Sequence, residues 1–453
     1  MKTSAAPWCA ALLLAQCVSA GQRPANDSAS HAEAAAAISR GVAFLWRTQA
    51  TAETELSSPR ASFEGDWDQF MSFKVGPVRV AIHDTSPFIP TCVSQGLRHL
   101  SPENAAALGI RDEDCVKARE IRMRIVRLAQ RFEKGDGTAA YWPDATAGPA
   151  TLWQRLQAGT LRILHRGPAL HGTLAPRGDA SLPPEFRTWP DPDCTAMSWV
   201  ARWINHQADG AAWQPVNAID VLSPYAHVRK GNLYFPVHSV PPVGVYYGFC
   251  IPSDRPDIPK DVDLIVNCNI LYAFALLADG DTPEAQRIIQ WILEVVRQGP
   301  NREMADLTLY YRWNNVLPYV VSRCYKDGGI KSLAPAVKTL AAEVRAQAVQ
   351  RSDGTVFWDG SNPVRATAFA LLTLLNDEEC GPLVEGATRW LMARQDSKTN
   401  GWHDHWVPLT QTTTGRVIYF RCDAAATSYA IEALSRYQLD CPPKRTFSKA
   451  ARR

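Results

Sequence analysis

Along most of the chain the apolar positions recur with helical spacing, in two alternating styles. One style carries a single apolar stripe: residues 38–49, 282–298, 331–350 and 387–396 read this way. In 282–298 a threonine suits the cap and Pro283 the first turn. The other style is richer in Ala, Thr and other small residues and often opens on Asp, as in 191–207, 261–278, 363–376 and 423–437. A one-striped helix buries one side, whereas a small-residue helix admits close neighbours on several. Their alternation suits two concentric rings of helices. The pattern therefore predicts an all-α fold class, an α/α toroid of about six helical hairpins, the third without a clear first helix. Strand-like alternation is confined to 232–237 and 243–249, which predict a short hairpin.

The ends and the breaks refine this plan. Lys2 precedes an apolar run from Trp8 to Val18, and Val18-Ser19-Ala20 places small residues where a signal peptidase cuts. Residues 1–20 are expected to be a signal peptide cleaved after Ala20, exporting the chain. A lipoprotein anchor at Cys17 fits less well, because Gln16 stands where a small residue is wanted. The expected order is then an N-terminal helical lobe with the first repeat at 21–180, the toroid domain at 181–440 and a basic tail at 441–453. No other stretch has transmembrane length. Two segments interrupt the helical pattern: 135–189, rich in Gly, Pro, Arg and His, and 211–260, rich in Pro and aromatics. Such insertions usually emerge on one face of a repeat protein, often the binding face.

Charge changes the picture little. The 48 basic and 45 acidic residues leave a formal +3, too even for a nucleic-acid partner. Of eleven cysteines, Cys9 and Cys17 depart with the signal. The nine that remain form no CxxC or zinc pattern, and their odd number leaves at least one thiol unpaired within the chain in an oxidising compartment.

Two motifs carry chemistry. Ala387 to Gln395 followed by Gly401-Trp402 has a counterpart in Ile38 to Gln49 followed by Gly65-Asp66-Trp67. Separately, Trp189-Pro190-Asp191-Pro192-Asp193-Cys194-Thr195-Ala196 combines an Asp-x-Asp with Asp-Cys-Thr-Ala, and Cys268 follows one small-residue helix later. Over residues 37–100 and 185–440 the chain resembles the terpenoid cyclase and protein prenyltransferase toroid superfamily, nearest to the squalene–hopene and oxidosqualene cyclases. The resemblance implies a proton-initiated cyclisation of a linear isoprenoid or its epoxide, with no metal or organic cofactor. It assigns Asp193 as the general acid, Cys194 and Cys268 as the groups that tune it, and Asp191 and Thr195 as orienting residues. The partner implied is a small apolar isoprenoid, with peripheral contact to a membrane.

The physics of that reaction asks for a dry, hydrogen-bonded carboxyl and for aromatic faces that attract a carbocation without capturing it. By composition the candidates are Trp189, Trp203, Tyr246, Tyr247, Phe249, Tyr310, Trp313, Trp358, Tyr419 and Phe420. Two departures stand out: Met197 takes the place of a glutamate in the oxidosqualene pattern, and the portion before Cys194 is too short for a complete second toroid.

Other readings of the same residues remain open. Asp191, Asp193, Asp261, Asp263 and Asp423 lie at or near predicted helix starts, where capping alone explains an aspartate. His403 and His405 alternate as metal ligands sometimes do. Arg312, Asn314 and Asn315 beside Tyr310-Tyr311 suit sugar hydroxyls, and Asp193 with Asp263 would serve a secreted polysaccharide hydrolase or lyase as a carboxylate pair. A non-catalytic scaffold or apolar-ligand binder is the third reading.

Overall fold

The computed structural model of the protein describes residues 27–51, 63–75, 78–84, 86–140, 191–227, 243–247, 262–277, 279–299, 307–308, 310–411 and 417–442. Thirteen α-helices fall within them: α1 (Asp27–Thr48), α2 (Phe88–Gly96), α3 (Pro102–Leu108), α4 (Asp112–Arg131), α5 (Pro192–Asp209), α6 (Ala218–Leu222), α7 (Leu264–Leu276), α8 (Pro283–Arg297), α9 (Val316–Lys326), α10 (Ala334–Ala346), α11 (Pro363–Asn376), α12 (Pro382–Ala393) and α13 (Asp423–Asp440). None is long and apolar enough to cross a membrane.

Six of these helices form a closed inner ring. α2 packs on α5, α5 on α7, α7 on α9, α9 on α11, α11 on α13, and α13 returns to α2. The sequence explains which helices go inside. Every residue of α7 from Leu264 to Phe274 is buried, as is every residue of α11 from Val364 to Asn376. The outer helices bury one stripe. In α8 it is Ala285, Ile288, Ile289, Trp291, Ile292, Val295 and Val296, the i, i+3, i+4, i+7 rhythm of a helix with one dry side. Outer α4, α10 and α12 each lie across two inner helices, while α1 packs on α13 and α8 on α7. Among the described residues, the first member of the third hairpin is the five-residue α6. From the N-terminal segment, α1, α2 and α4 pack against α5, α12 and α13 and so close the ring.

The recurring Gln and Trp have a common geometry. Trp402 is fully buried and its indole donates to the Leu391 carbonyl at 2.8 Å, near the C-terminus of α12. Trp67 does the same to Leu45 of α1 at 3.1 Å, and Trp358 to Val344 of α10 at 2.7 Å. Gln395 donates to Ala37 of α1 at 2.9 Å, and Gln49 to Ile121 of α4 at 3.4 Å. Each tryptophan thus satisfies a helix-end carbonyl, while each glutamine reaches the next outer helix.

Close approach of α2 to α13 depends on a glycine. A Cβ on Gly96 would lie 2.5 Å from the Ser428 carbonyl oxygen, and backbone there has nowhere to move. Gly96→Ala should lower stability by about 1–3 kcal/mol through overpacking; an unchanged midpoint in calorimetry would contradict this packing.

Short strands complete the fold. β1 (Gln69–Val75), β2 (Val78–Asp84), β5 (Val407–Gln411) and β6 (Val417–Arg421) form one antiparallel sheet in the order β2-β1-β6-β5. β3 (Val349–Gln350) and β4 (Val356–Phe357) pair separately. The sheet joins the loops that lead into α2 and α13, which are neighbours in the ring although they lie far apart in sequence. Of the hairpin expected from 232–237 and 243–249, the first strand falls outside the described residues, and in the second Tyr246 bridges Ala226. A disulfide, Cys380–Cys441, ties the loop after α11 to the end of α13.

Buried charge fills the opposite end of the ring. Asp327, just after α9, pairs with Arg98 and, at 2.7 Å, with Arg436. Burial alone would push its carboxyl up, but the two guanidiniums outweigh that and hold it below its ordinary range.

Candidate active site

The inner-helix N-termini meet at one end, and the aspartates there divide their labour. Asp191 is the cap of α5, accepting from the Cys194 backbone at 2.8 Å, with Pro192 in the first turn. Thr195 fixes the same turn: its hydroxyl donates to the Asp191 carbonyl at 2.7 Å and accepts from the Ala139 amide at 2.8 Å. Capping is therefore complete without Asp193, whose side chain crosses to the neighbouring elements.

Asp193 is buried, 4% exposed. Asn269 of α7 donates to its Oδ1 at 2.7 Å, and the Tyr311 hydroxyl donates to its Oδ2. Burial pushes the carboxyl well above the usual range and the Asp191 charge adds to this, while the Tyr311 and Asn269 bonds oppose it. Tyr311 is itself pushed well up by burial and by Asp193, so it keeps its proton and acts as a donor. Asn269 is oriented from behind, its Oδ1 accepting from Arg323 of α9 at 2.5 Å. Arg323 is buried, with its guanidinium 4.4 Å from the Tyr272 ring centre and 5.2 Å from that of Tyr319.

The donors to the acid are thus a phenol and an amide, where the resemblance implied thiols. Cys194 and Cys268 are fully buried and pushed well up, chiefly by burial. The Cys194 thiol meets Asp191. Cys268 lies beside Cys324, whose thiol donates to the Cys268 carbonyl at 3.3 Å, and no hydrogen bond joins Cys268 to Asp193. Thiols are weak donors, so a buried carboxyl gains more from Asn and Tyr. Asn269 was signalled by its setting, a polar residue inside the apolar run of α7. Tyr311 carried no comparable mark.

Asp263 serves as a strut. It caps α7 through Ile265 and Val266, at 2.8 and 3.1 Å to Oδ1, and its Oδ2 accepts from the Thr308 hydroxyl and from the Tyr310 amide at 3.0 Å.

Aromatic rings continue from Tyr311. Its ring centre lies 5.7 Å from Phe88 and 5.1 Å from Trp313. Trp313 stacks on Phe369 at 6.5 Å, and Phe369 meets Tyr319 at 5.0 Å and Tyr429 at 4.7 Å. Arg365, in the first turn of α11, stands 4.9 Å over Trp313 and 5.7 Å over Phe420. Its Nη2 pairs with Asp404. Asp404 also accepts from the Asn362 amide, the His405 backbone at 3.1 Å and the Cys422 backbone at 2.6 Å. Burial raises its pKa to about 6, against the pull of Arg365. Phe88, Asp193, Asp263, Tyr311, Arg365 and Cys422 place the starts of all six inner helices around this region.

Of the aromatics picked by composition, Trp313 and Phe420 belong to this cluster, and Tyr310 contributes its backbone. Trp358 belongs to the repeat, buried against α10. Tyr246 is clasped by Asn267 through backbone bonds of 2.8 and 2.9 Å and packs on Phe274. Tyr247 meets His227 at 3.1 Å. Tyr419 alternates with Phe420 and so lies on the other face of β6. Trp203 is half-buried on α5. Trp189 and Phe249 fall outside the described residues. His403 pairs with Asp423 and Asp396 at 3.1 and 3.4 Å, and among the described residues no three His, Cys, Asp or Glu side chains gather as metal ligands.

No protein-family model matches the sequence, and no curated protein matches it. Solved structures do. The chain is similar to the type II terpene cyclase MstE from Scytonema, with a TM-score of 0.51 at 14% identity, covering 90% of this chain and 99% of that one. A variant of the same enzyme in complex with geranylgeranyl dihydroxybenzoate, its substrate, matches with a TM-score of 0.50 at 12% identity, covering 91% and 99%. A cellobiose 2-epimerase from Spirochaeta thermophila matches with a TM-score of 0.46 at 13% identity, covering 91% and 98%.

Proposed function

On the premise that the chain has the α/α-toroid fold of the type II terpene cyclases, we propose that it is a proton-initiated isoprenoid cyclase with Asp193 as its acid. One observation carries this reading: a buried carboxyl held toward its protonated form by burial, bonded to two neutral donors and adjoining a run of aromatic rings. The Asp193 proton adds to a terminal alkene carbon, or to an epoxide oxygen, leaving a carbocation on the substrate. The carboxylate left behind keeps the Asn269 and Tyr311 hydrogen bonds, which strengthen as it becomes charged. Trp313, Phe369 and Tyr429 offer ring faces to the cation, and loss of a proton at the end of cyclisation balances the one supplied.

The brevity of the N-terminal half does not weigh against the proposal, since the matched MstE chain is itself covered to 99%. The glycan reading is weaker, because Asp263 already accepts from four donors as the cap of α7. The decisive assay is incubation with linear isoprenoids and their epoxides under mass spectrometry. Absence of an isomeric product from every member of the panel would sink the proposal.

The pH dependence has a definite sign. An acid catalyst works while protonated, so turnover falls as pH rises through the raised pKa of Asp193. Asp191→Asn keeps a good cap but removes a charge that raises this pKa, so the falling limb should move to lower pH. Tyr311→Phe removes a bond that lowers it, so the limb should move to higher pH. The lost bond to the charged form should also slow turnover about 10- to 100-fold. Shifts of both variants in the same direction would show that another group supplies the proton.

Export belongs to the same reading. It is supported by the Cys380–Cys441 bond, since disulfides persist in oxidising compartments. N-terminal sequencing of the protein from its native cells should give a chain starting at Gly21; a chain retaining the first twenty residues in the cytoplasm overturns it.

A further inference from the structure

The isoprenoid reading leaves one buried cation only partly used. Arg365 is 1% exposed, and among its guanidinium nitrogens Nη2 alone has a hydrogen-bond partner, Asp404. Nε and Nη1 are buried and make no hydrogen bond. Unmet donors on a buried guanidinium are expensive, and the fold has no evident need of them. Asp404 is a shared partner, since Asn362, His405 and Cys422 also donate to it. The guanidinium lies over Trp313, whose ring meets Tyr311, the donor to Asp193. A chain of two rings therefore separates the cation from the acid. The start of α11, where Arg365 sits, adds the positive end of a helix.

Resting on the cyclase reading, we infer that the substrate carries an anionic oxygen group, a carboxylate or a phosphate, that takes the unpaired nitrogens of Arg365. Its hydrocarbon chain then runs along Trp313 and Tyr311 toward Asp193. An anion here also shields the developing carbocation from the fixed charge of Arg365. A neutral hydrocarbon offers the guanidinium nothing.

Binding of geranylgeranoic acid, geranylgeranyl phosphate and the neutral alcohol geranylgeraniol, titrated calorimetrically on the intact chain below their micellar concentrations, tests this. Wild type should bind the acid or the phosphate at least about tenfold more tightly than the alcohol, as one charge-assisted hydrogen bond allows. Whichever of the two binds tighter identifies the head group. In Arg365→Gln the preference should shrink to within about threefold. Should that variant fail to fold, Arg365→Lys retains a charge for Asp404 but lacks the guanidinium fork, and should reduce the preference at least about fivefold. Equal affinity of wild type for all three ligands overturns the inference while leaving the cyclase reading intact. Survival of the full preference in a folded Arg365 variant does the same. Binding of none of the three defeats the isoprenoid reading and this inference with it.

Discussion

Asp193→Asn should abolish cyclisation, lowering turnover by about a thousandfold or more, while the protein unfolds at the same temperature as wild type or higher. The activity loss follows from the chemistry, since a general acid alone is worth about 10²- to 10⁴-fold and an initiating proton has no substitute in a dry site. The stability side follows from linkage. Burial raises the Asp193 pKa above its unfolded value, so its contribution to stability is present below the unfolded pKa and is lost as pH rises through the folded one. At neutral pH the wild type is held back by this group, and a neutral amide is not. Asparagine also fits the site: its oxygen can accept from Asn269, and its NH₂ can donate to the Tyr311 oxygen. The gap between variant and wild type in thermal midpoint should therefore vanish near pH 4 and widen toward neutrality. A variant that keeps turning over, or one that melts several degrees lower at pH 7, would reduce Asp193 to a structural residue.

Trp402→Ala should be the most damaging single change to the fold, costing about 3–5 kcal/mol, the usual range for deleting a buried Trp. That approaches half of a typical domain's stability. The residue sits where the ring closes. Its indole donates to Leu391 of α12, its amide donates to Thr427 of α13 at 3.0 Å, and its ring abuts Gly41 of α1. Removal opens a cavity and strands a helix-end carbonyl at the joint between the first and last hairpins. Trp203→Ala, on the half-buried face of α5, should cost much less. Urea unfolding of both variants checks the contrast, and a loss below about 1 kcal/mol for Trp402→Ala would mean that the joint is held by other contacts.

The sequence carried the toroid because helical periodicity is local. One-striped helices had to lie outside and small-residue helices inside. It also singled out Asp193, through the spacing of Asp191, Asp193 and Cys194. The partners of that acid were a matter of tertiary structure. Asn269 comes from α7, and Tyr311 and Arg323 from the loop into α9 and from α9 itself, and nothing local to position 193 says which polar group a closing ring will carry to it. The same is true of the sheet, whose strands β1 and β6 meet only because the hairpins that precede α2 and α13 become neighbours on closure. Composition could count aromatics but could not orient them. Whether a tryptophan pins a helix end, as Trp358 does, or stands near the acid, as Trp313 does, depends on which side of the ring its loop faces.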